Sequence, residues 1–541
     1  MLKRGFTLRL ETMSAIAELA PSTERDPQQA QSRETAEFRS RMGSISRQSA
    51  VYFAGTLVTT AAGYFFRIYL ARTLGAEALG LYALGMSIVG LLSLFNAFGL
   101  PSAAARFVAG YCGKHEYAHL ASFLRGSVAL LAAGNLLLGA VLIIAGPWIA
   151  IHFYHAPALA AYFWPFALIM LFGVFNSFLG QVMAGYQDVA RRTLITHFIG
   201  TPANMLFAVG LISLGFGLAG YLTAQVISAF IVLALLAIYV FRMTPPEARH
   251  SAVSARIEKE VVAFSAAAFA IAGVEFVLSQ ADKIVLGYYL SATQVGIYAV
   301  AMALVGFVPV ALQSVNQIFS PGIAELHATG NHLLLQRLYT TLTKWILAFT
   351  IPLGLTIIIF ARPLMGIFGP AFQAGATVLV IGTVGQLVNC AVGSVGYLLL
   401  MAGHQNQMVK IQAVNAALMI TLSILLVPRF GIRGAACAAA VAVAVTNLWS
   451  LRAVYQRLQL FPYDSSYLKL LLPGILSAMV VAMLRFSLHA YSAFLVAAVG
   501  LFCAYAVFLA SFVSFGLDPD DRRLAQAAWG KIGFNFRRME F

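Results

Sequence analysis

A stretch of this chain occurs twice. Arg67–Gly90 (RIYLARTLGAEALGLYALGMSIVG) returns 216 residues later at Lys283–Gly306 (KIVLGYYLSATQVGIYAVAMALVG). Without a gap, Ile68/Ile284, Leu70/Leu286, Leu74/Leu290, Ala76/Ala292, Gly80/Gly296, Tyr82/Tyr298, Ala83/Ala299, Met86/Met302, Val89/Val305 and Gly90/Gly306 coincide. A membrane-biased composition would give about three such matches. An internal repeat on this scale constrains the fold more than any local signal does.

Both copies lie in apolar runs, and the chain holds many more. From Ser49 onward, runs of about 20 residues recur, each long enough to cross a hydrocarbon core of about 30 Å as a helix. Sixty per cent of the 541 residues are hydrophobic and 10% are charged, against about 25% charged in soluble proteins. The expectation is an all-α polytopic membrane protein with about fourteen transmembrane helices. They fall near 50–72, 79–100, 122–145, 158–184, 194–214, 218–241, 262–289, 292–315, 341–361, 374–402, 409–427, 432–452, 468–487 and 490–515.

The polar break at Arg242–Glu260, with Pro245-Pro246, divides the first twelve spans into six plus six. Further paired motifs support that division. Met183–Asp188 (MAGYQD) matches Met401–Asn406 (MAGHQN), and Gly217–Gly220 (GLAG) matches Gly431–Gly434 (GIRG). Six spans separate the copies, so both halves share one orientation and the repeat is parallel. Duplicated bundles of this kind rock about a central cavity and give alternating access. The expected organisation is a disordered cytoplasmic tail at 1–48, an N-lobe at 49–241, a cytoplasmic linker at 242–260 and a C-lobe at 261–455. Two extra spans at 456–516 and a cytoplasmic tail at 517–541 follow.

The net charge of +15 is topological before it is anything else. Of the 35 Lys and Arg, only Arg67, Arg72, Lys283, Arg362, Arg429, Arg433 and Arg485 fall outside the segments that inside termini place in the cytoplasm. The bias predicts cytoplasmic termini and removes the need for a nucleic-acid partner. No apolar run of the 7–15 residues that a signal peptide needs follows Lys3-Arg4; Met1 and Met42 are both open as starts. The C-tail alternates basic and aromatic residues and suits the surface of an anionic leaflet. Cys112, Cys390, Cys437 and Cys503 are scattered, so no metal site or disulfide framework is expected. No connection is long enough for a catalytic domain, which weighs against a glycan polymerase or ligase and against enzymes in general.

Leu74–Tyr82 (LGAEALGLY) followed by Phe98–Arg106 (FGLPSAAAR), with Asp282–Gly287 (DKIVLG) and Val295–Tyr298 (VGIY) in the second half, resembles the polysaccharide transporter (Wzx-like) family. That family belongs to the multidrug/oligosaccharidyl-lipid/polysaccharide exporter superfamily. The resemblance covers about residues 45–455. It implies two six-helix lobes forming a V-shaped flippase of the bacterial inner membrane. It implies a polyprenyl-pyrophosphate-linked oligosaccharide as substrate, with the bilayer and other polysaccharide assembly proteins as partners. Two extra C-terminal spans also occur in lipid II flippases of the MurJ type, where the resemblance suggests that they meet the lipid tail. A cation-coupled multidrug exporter of the same superfamily is the alternative.

A flippase moves a pyrophosphate and a hydrated glycan through a low-dielectric slab, where unpaired charge is costly. It needs cations for phosphate, amides and hydroxyls for sugar, and an apolar flank for the prenyl chain. Arg67 and Lys283 are repeat equivalents, so pseudo-symmetry predicts that they face one another across a central cavity. Snorkelling toward the interface, or an Arg67–Asp282 pair, is the competing reading. Asp282 and Lys283 are sequence neighbours and should not face each other on a helix. Arg106, Arg125 and Lys344 sit at cytoplasmic ends, either to receive the diphosphate or as ordinary positive-inside anchors. Glu275, Ser279 and Asp282 form one helical stripe. Glu275 and Asp282 are candidates for coupling to a proton or sodium gradient, with a structural hydrogen bond as the alternative; no cofactor is expected. Asn389 is grouped with intramembrane amides (Asn135, Asn176, Gln181, Gln313, Asn316, Gln317, Gln386) that bond either sugar or neighbouring helices.

Overall fold

The computed structural model describes residues 27–250, 257–487, 493–514 and 521, with side chains from residue 62 except at Ile318 and Ala493. Residues 1–26 and, apart from Asp521, the expected tail at 517–541 lie outside these. Every regular element among the described residues is a helix.

The first helix, α1 (Pro27–Ala97), begins inside the stretch expected to be a disordered tail. Proline suits the first helical position, and the Gln, Ala, Glu and Arg that follow are strong helix formers. Helix there needs no apolar period. α1 breaks once, at Gly75 (φ 81°, ψ 176°), a conformation open to glycine and strained for other residues. Its two arms are the expected first two spans. There follow α2 (Leu100–Gly113), α3 (Tyr117–Trp148), α4 (Phe163–Gly185), α5 (Val189–Ser213) and α6 (Gly217–Met243).

Past the linker come α7 (Lys259–Tyr289), α8 (Ala292–Val305), α9 (Val310–Ala328) and α10 (His332–Ile359). They are followed by α11 (Ala376–Val392), α12 (Val395–Met401), α13 (Gln405–Phe430) and α14 (Ile432–Leu458). The last pair, α15 (Leu471–Ser487) and α16 (Ala493–Ser514), packs against itself and against α10.

Among the described residues twelve helical runs are long and apolar enough to cross a membrane, or thirteen when the bent pair α8 and α9 counts as one span. The expected fourteen differ because Ala62–Gly113 is a single run holding the end of the first expected span and all of the second. Two further expectations of continuous helix fail. The span at 292–315 bends by 50° between α8 and α9, around Gly306 and Pro309. The span at 374–402 breaks at Gly393 (φ 70°, ψ −144°). Glycine and proline are frequent in membrane helices, so their presence did not mark these two as breaks.

The repeat is visible in three dimensions. Gly75 turns the first lobe's hairpin. Its counterpart Ser291 turns the second with extended backbone (φ −67°, ψ 155°). The lobes meet where the second arm of α1 crosses α8. A Cβ on Gly80 would sit 1.7 Å from the Ala292 carbonyl oxygen, and one on Gly296 would sit 2.0 Å from that of Ala76. Each contact is the repeat image of the other, so this seam has the self-complementary form of a two-fold interface. On the linker side α7 leans against the first lobe. Gly99 (φ 73°) packs on the Ser265 carbonyl, and Phe107 meets Phe264 edge-on at 5.8 Å.

Candidate functional site

Between the lobes, under the α1–α8 seam, lies a cavity of about 580 Å³. α1 supplies Tyr64, Arg67 and Tyr82, α6 supplies Tyr221, and α7 supplies Ser279, Gln280, Asp282 and Lys283. Arg67 and Lys283 thus line one cavity. The Arg67 guanidinium lies 5.5 Å from the centre of the Tyr64 ring, and the residue is exposed. The Lys283 ammonium donates to the Ser279 carbonyl at 2.5 Å and to Gln280 Oε1 at 3.1 Å.

Asp282 is 6% exposed. It accepts from the Tyr298 hydroxyl at 2.9 Å and from the Lys283 backbone N–H at 2.7 Å. Lys283 Nζ stands 3.7 Å from Asp282 Oδ1. This corrects the expectation that the two side chains would not meet. The helix does point their Cβ atoms apart, but the lysine stem is long enough to fold back along the N-terminal turn. Asp282 is therefore held by Tyr298 and Lys283 rather than by Arg67. Its repeat counterpart is Phe66, so the buried carboxylate belongs to the second lobe alone.

Sequence reasoning missed the tyrosines. Gln225 Nε2 donates to the hydroxyls of Tyr82 (2.8 Å) and Tyr221 (3.0 Å), and the Tyr64 hydroxyl donates to the Ala303 carbonyl (3.0 Å). The signal that could have found one of them was the Tyr82/Tyr298 repeat pair. Tyr82 faces the cavity while Tyr298 is buried against Asp282.

The other sequence candidates do not converge here. Glu275 is exposed one turn toward the linker from Ser279, outside the cavity wall, and makes no hydrogen bond or ion pair with a described residue. Arg106 lies against the Phe264 ring (4.8 Å) with Glu260 at 3.7 Å, so it bridges the lobes on the linker side. Arg125 donates to the Arg249 carbonyl at 2.8 Å and is engaged by the linker.

Lys344, read from the sequence either as a diphosphate ligand or as a positive-inside anchor, is 4% exposed and bonds Asp521 Oδ2 at 2.7 Å and Ser466 Oγ at 3.2 Å. A buried ammonium needs such a partner, and this one leaves it no access to the cavity. Asn389 donates to Gln386 Oε1 at 2.9 Å and lines a different cavity, within the second lobe.

A third space adjoins the central one. It has a volume of about 590 Å³, is apolar throughout, and shares Tyr64, Leu304 and Phe368 with the central cavity. Its far wall is Phe494, Ala497, Ala498, Leu501 and Tyr505 of α16. Cationic, hydroxyl-bearing and apolar surfaces are therefore continuous, an arrangement that suits an amphiphile with an anionic head.

Residues 45–327 match the profile of the family described as "Polysaccharide biosynthesis protein". Among similar proteins is the probable flippase AglR of Haloferax volcanii, 22% identical over 432 residues, covering 78% of this chain and 86% of the relative. Another is the uncharacterized membrane protein MJ1068 of Methanocaldococcus jannaschii, 21% identical over 440 residues with the same coverage. Among solved structures, lipid II flippase MurJ in its inward closed conformation aligns with a TM-score of 0.66 at 16% identity, covering 85% of this chain and 98% of that one. An inward-facing multidrug resistance MATE family transporter aligns at 0.59 and 15% identity, covering 73% and 94%. These likenesses show that the fold is that of these transporters.

Proposed function

This chain belongs to the polysaccharide biosynthesis protein family, and from that premise we propose that it is a flippase for a lipid-linked oligosaccharide. It carries polyprenyl-pyrophosphate-linked glycan from the linker-side leaflet, read as cytoplasmic from the positive-inside bias, to the opposite one by alternating access. The observation that carries this reading is the continuity of the Arg67/Lys283 cavity with the apolar groove on α16. A pyrophosphate held by Arg67 and Lys283 would leave its prenyl chain in that groove and in the bilayer beyond. Arginine suits the task through its planar fork of donors. Ser279 and Gln280 hold the Lys283 ammonium at the cavity wall with Asp282 3.7 Å away, and Asp282 with Glu275 is the carboxylate pair through which a proton or sodium gradient could be coupled.

A cation-extruding drug exporter fits the cavity less well. Asp282 is the one carboxylate among its lining residues, and it already faces an ammonium. Deleting the gene and analysing the lipids separates the readings. A flippase mutant accumulates undecaprenyl-linked glycan on the cytoplasmic side, and wild-type protein clears it whereas Arg67→Ala/Lys283→Ala does not. Absence of accumulation in the deletion strain would overturn the proposal. A polymerase mutant, in contrast, would still export single repeat units.

A further inference from the structure

We infer that the second lobe contains a separate, uncharged site that binds the neutral sugar portion of the substrate. This rests on the flippase reading above and specifies where the glycan sits. A cavity of about 550 Å³ lies among α9, α11, α12, α13 and α14, within the size range of small-molecule sites. None of its lining residues is Asp, Glu, Lys or Arg. Its walls carry instead the amides of Asn316, Gln386, Asn389, Gln412, Asn415 and Asn447.

Both broken spans open onto it. Pro309, at the 50° bend between α8 and α9, is part of its wall, and so are Gly393 and Ser394 at the α11–α12 break. Irregular backbone at membrane depth is tolerated where it is buried in protein or lines a water-filled cavity, and discontinuous helices are how transporters build substrate sites.

Part of this polar set is already paired: Asn389 donates to Gln386 Oε1 at 2.9 Å, and the Thr446 and Ser450 hydroxyls donate to carbonyls of their own helix. Other members are not: Asn316 is 9% exposed, and its Oδ1, like Asn415 Oδ1, is buried without a hydrogen-bond partner among the described residues. Asn447 spends one donor on the Val443 carbonyl of its own helix at 2.9 Å. Groups of this kind carry a desolvation cost until a ligand supplies partners. Sugar hydroxyls, each donor and acceptor at once, match amides that offer both.

The repeat supplies an internal control. At the 218-residue offset that relates Met183 to Met401, the counterparts of Gln386 and Asn389 are Leu168 and Leu171. At the 214-residue offset that relates Gly217 to Gly431, Thr446, Asn447 and Ser450 correspond to Val232, Leu233 and Leu236. The same helical scaffold in the first lobe packs with apolar residues at all five positions. Helix association alone therefore does not require these polar groups in the second lobe. The lack of charge argues against a pyrophosphate or an organic cation as occupant. The site is also connected to the central cavity. Gln386, Asn415 and Val443 form one wall of a chamber of about 170 Å³ whose other wall includes Asp282. Asp282 in turn lines the Arg67/Lys283 cavity.

The test compares binding of undecaprenyl pyrophosphate with binding of the same lipid bearing a neutral disaccharide, using the full chain in lipid nanodiscs. Wild type is expected to bind the glycan-bearing lipid at least about tenfold more tightly, a difference of about 1.4 kcal/mol. Gln386→Leu/Asn389→Leu and, separately, Asn447→Leu install the first lobe's residues. They are expected to bind both lipids with the affinity of wild type for the sugar-free one. A wild-type protein without preference, or variants that keep the full preference, would overturn the site and leave the flippase reading standing. A wild-type protein that binds neither lipid would overturn the flippase reading itself. Should the leucine variants not fold, Asn447→Cys gives the same decision, measured against the labelling of the four native cysteines. The disaccharide-bearing lipid, and not the sugar-free one, is expected to protect it from maleimide; equal labelling under both lipids overturns the site.

Discussion

At the scale of single residues, the charged side chains of this protein separate by what each one touches. Lys283 and Lys344 have the same chemistry and opposite surroundings. Lys283 projects into the central cavity with one carboxylate beside it, whereas Lys344 is sealed against Asp521 and Ser466. Removing one partner of a buried pair leaves the other charge uncompensated, at about 3–5 kcal/mol. Lys344→Ala should therefore lower the thermal unfolding temperature sharply, and Lys344→Met/Asp521→Leu should recover most of the loss. A Lys344→Ala protein with normal stability and defective lipid binding would return this residue to the list of substrate ligands. Sequence alone could not assign it, because its partner lies 177 residues away. That Arg67 and Lys283 line one cavity was legible because the repeat paired them. Glu275 is the remaining exposed intramembrane carboxylate on the α7 stripe. Glu275→Gln should reduce glycan export at unchanged protein level, which immunoblotting and lipid analysis together measure; wild-type export by that variant would remove it from any coupling role.

At the scale of elements, the apolar runs and the repeat made nearly every helix and both lobes readable, because period and length are local properties. The breaks at Gly306–Pro309 and Gly393 were not readable. A glycine in a membrane helix can serve close packing or mark a break, and only the surrounding helices decide which. Gly296 and Gly393 illustrate the two outcomes, the first inside α8 and the second ending α11. The role of α16 was likewise beyond composition, since its whole length is apolar and its sequence does not say which face meets lipid. In the fold, Ala497 and Ala498 face the groove next to the central cavity. The small side chains leave the space that a prenyl chain would fill. Ala498 is exposed, so a larger residue there should be tolerated by the fold while occupying the groove. Ala498→Trp is expected to keep wild-type stability and to lower transport of undecaprenyl-linked substrate severalfold in a reconstituted vesicle assay. Undiminished transport would show that the chain takes another route.

At the scale of the whole molecule, alternating access requires one contact between the lobes to open while another forms. The α1–α8 seam has the properties that such a contact needs. It is built from backbone on backbone, with Gly80 on Ala292 and Gly296 on Ala76. Small residues permit this close approach and its van der Waals gain, and no ion pair among the described residues crosses between these two helices. The seam can therefore part without breaking an ion pair, although the lobe-to-lobe bonds of Arg72 to the Ile367 carbonyl and of Tyr64 to the Ala303 carbonyl would have to exchange partners. Its two halves are repeat images, so they should open together and not in sequence. A single Cβ at either glycine would collide with a carbonyl that has no side-chain freedom to move aside. Gly80→Ala and Gly296→Ala should each push the lobes apart on the side away from the linker. Spin labels placed on the two lobes on that side should report a longer distance, and export should fall. Because both substitutions act on one shared contact, their effects should not add. Once one has parted the helices, the second finds the space already open, and the double variant should resemble either single one. A double variant showing the full sum of two independent shifts would mean that the two crossings open separately, and that the two-fold seam is not a single gate.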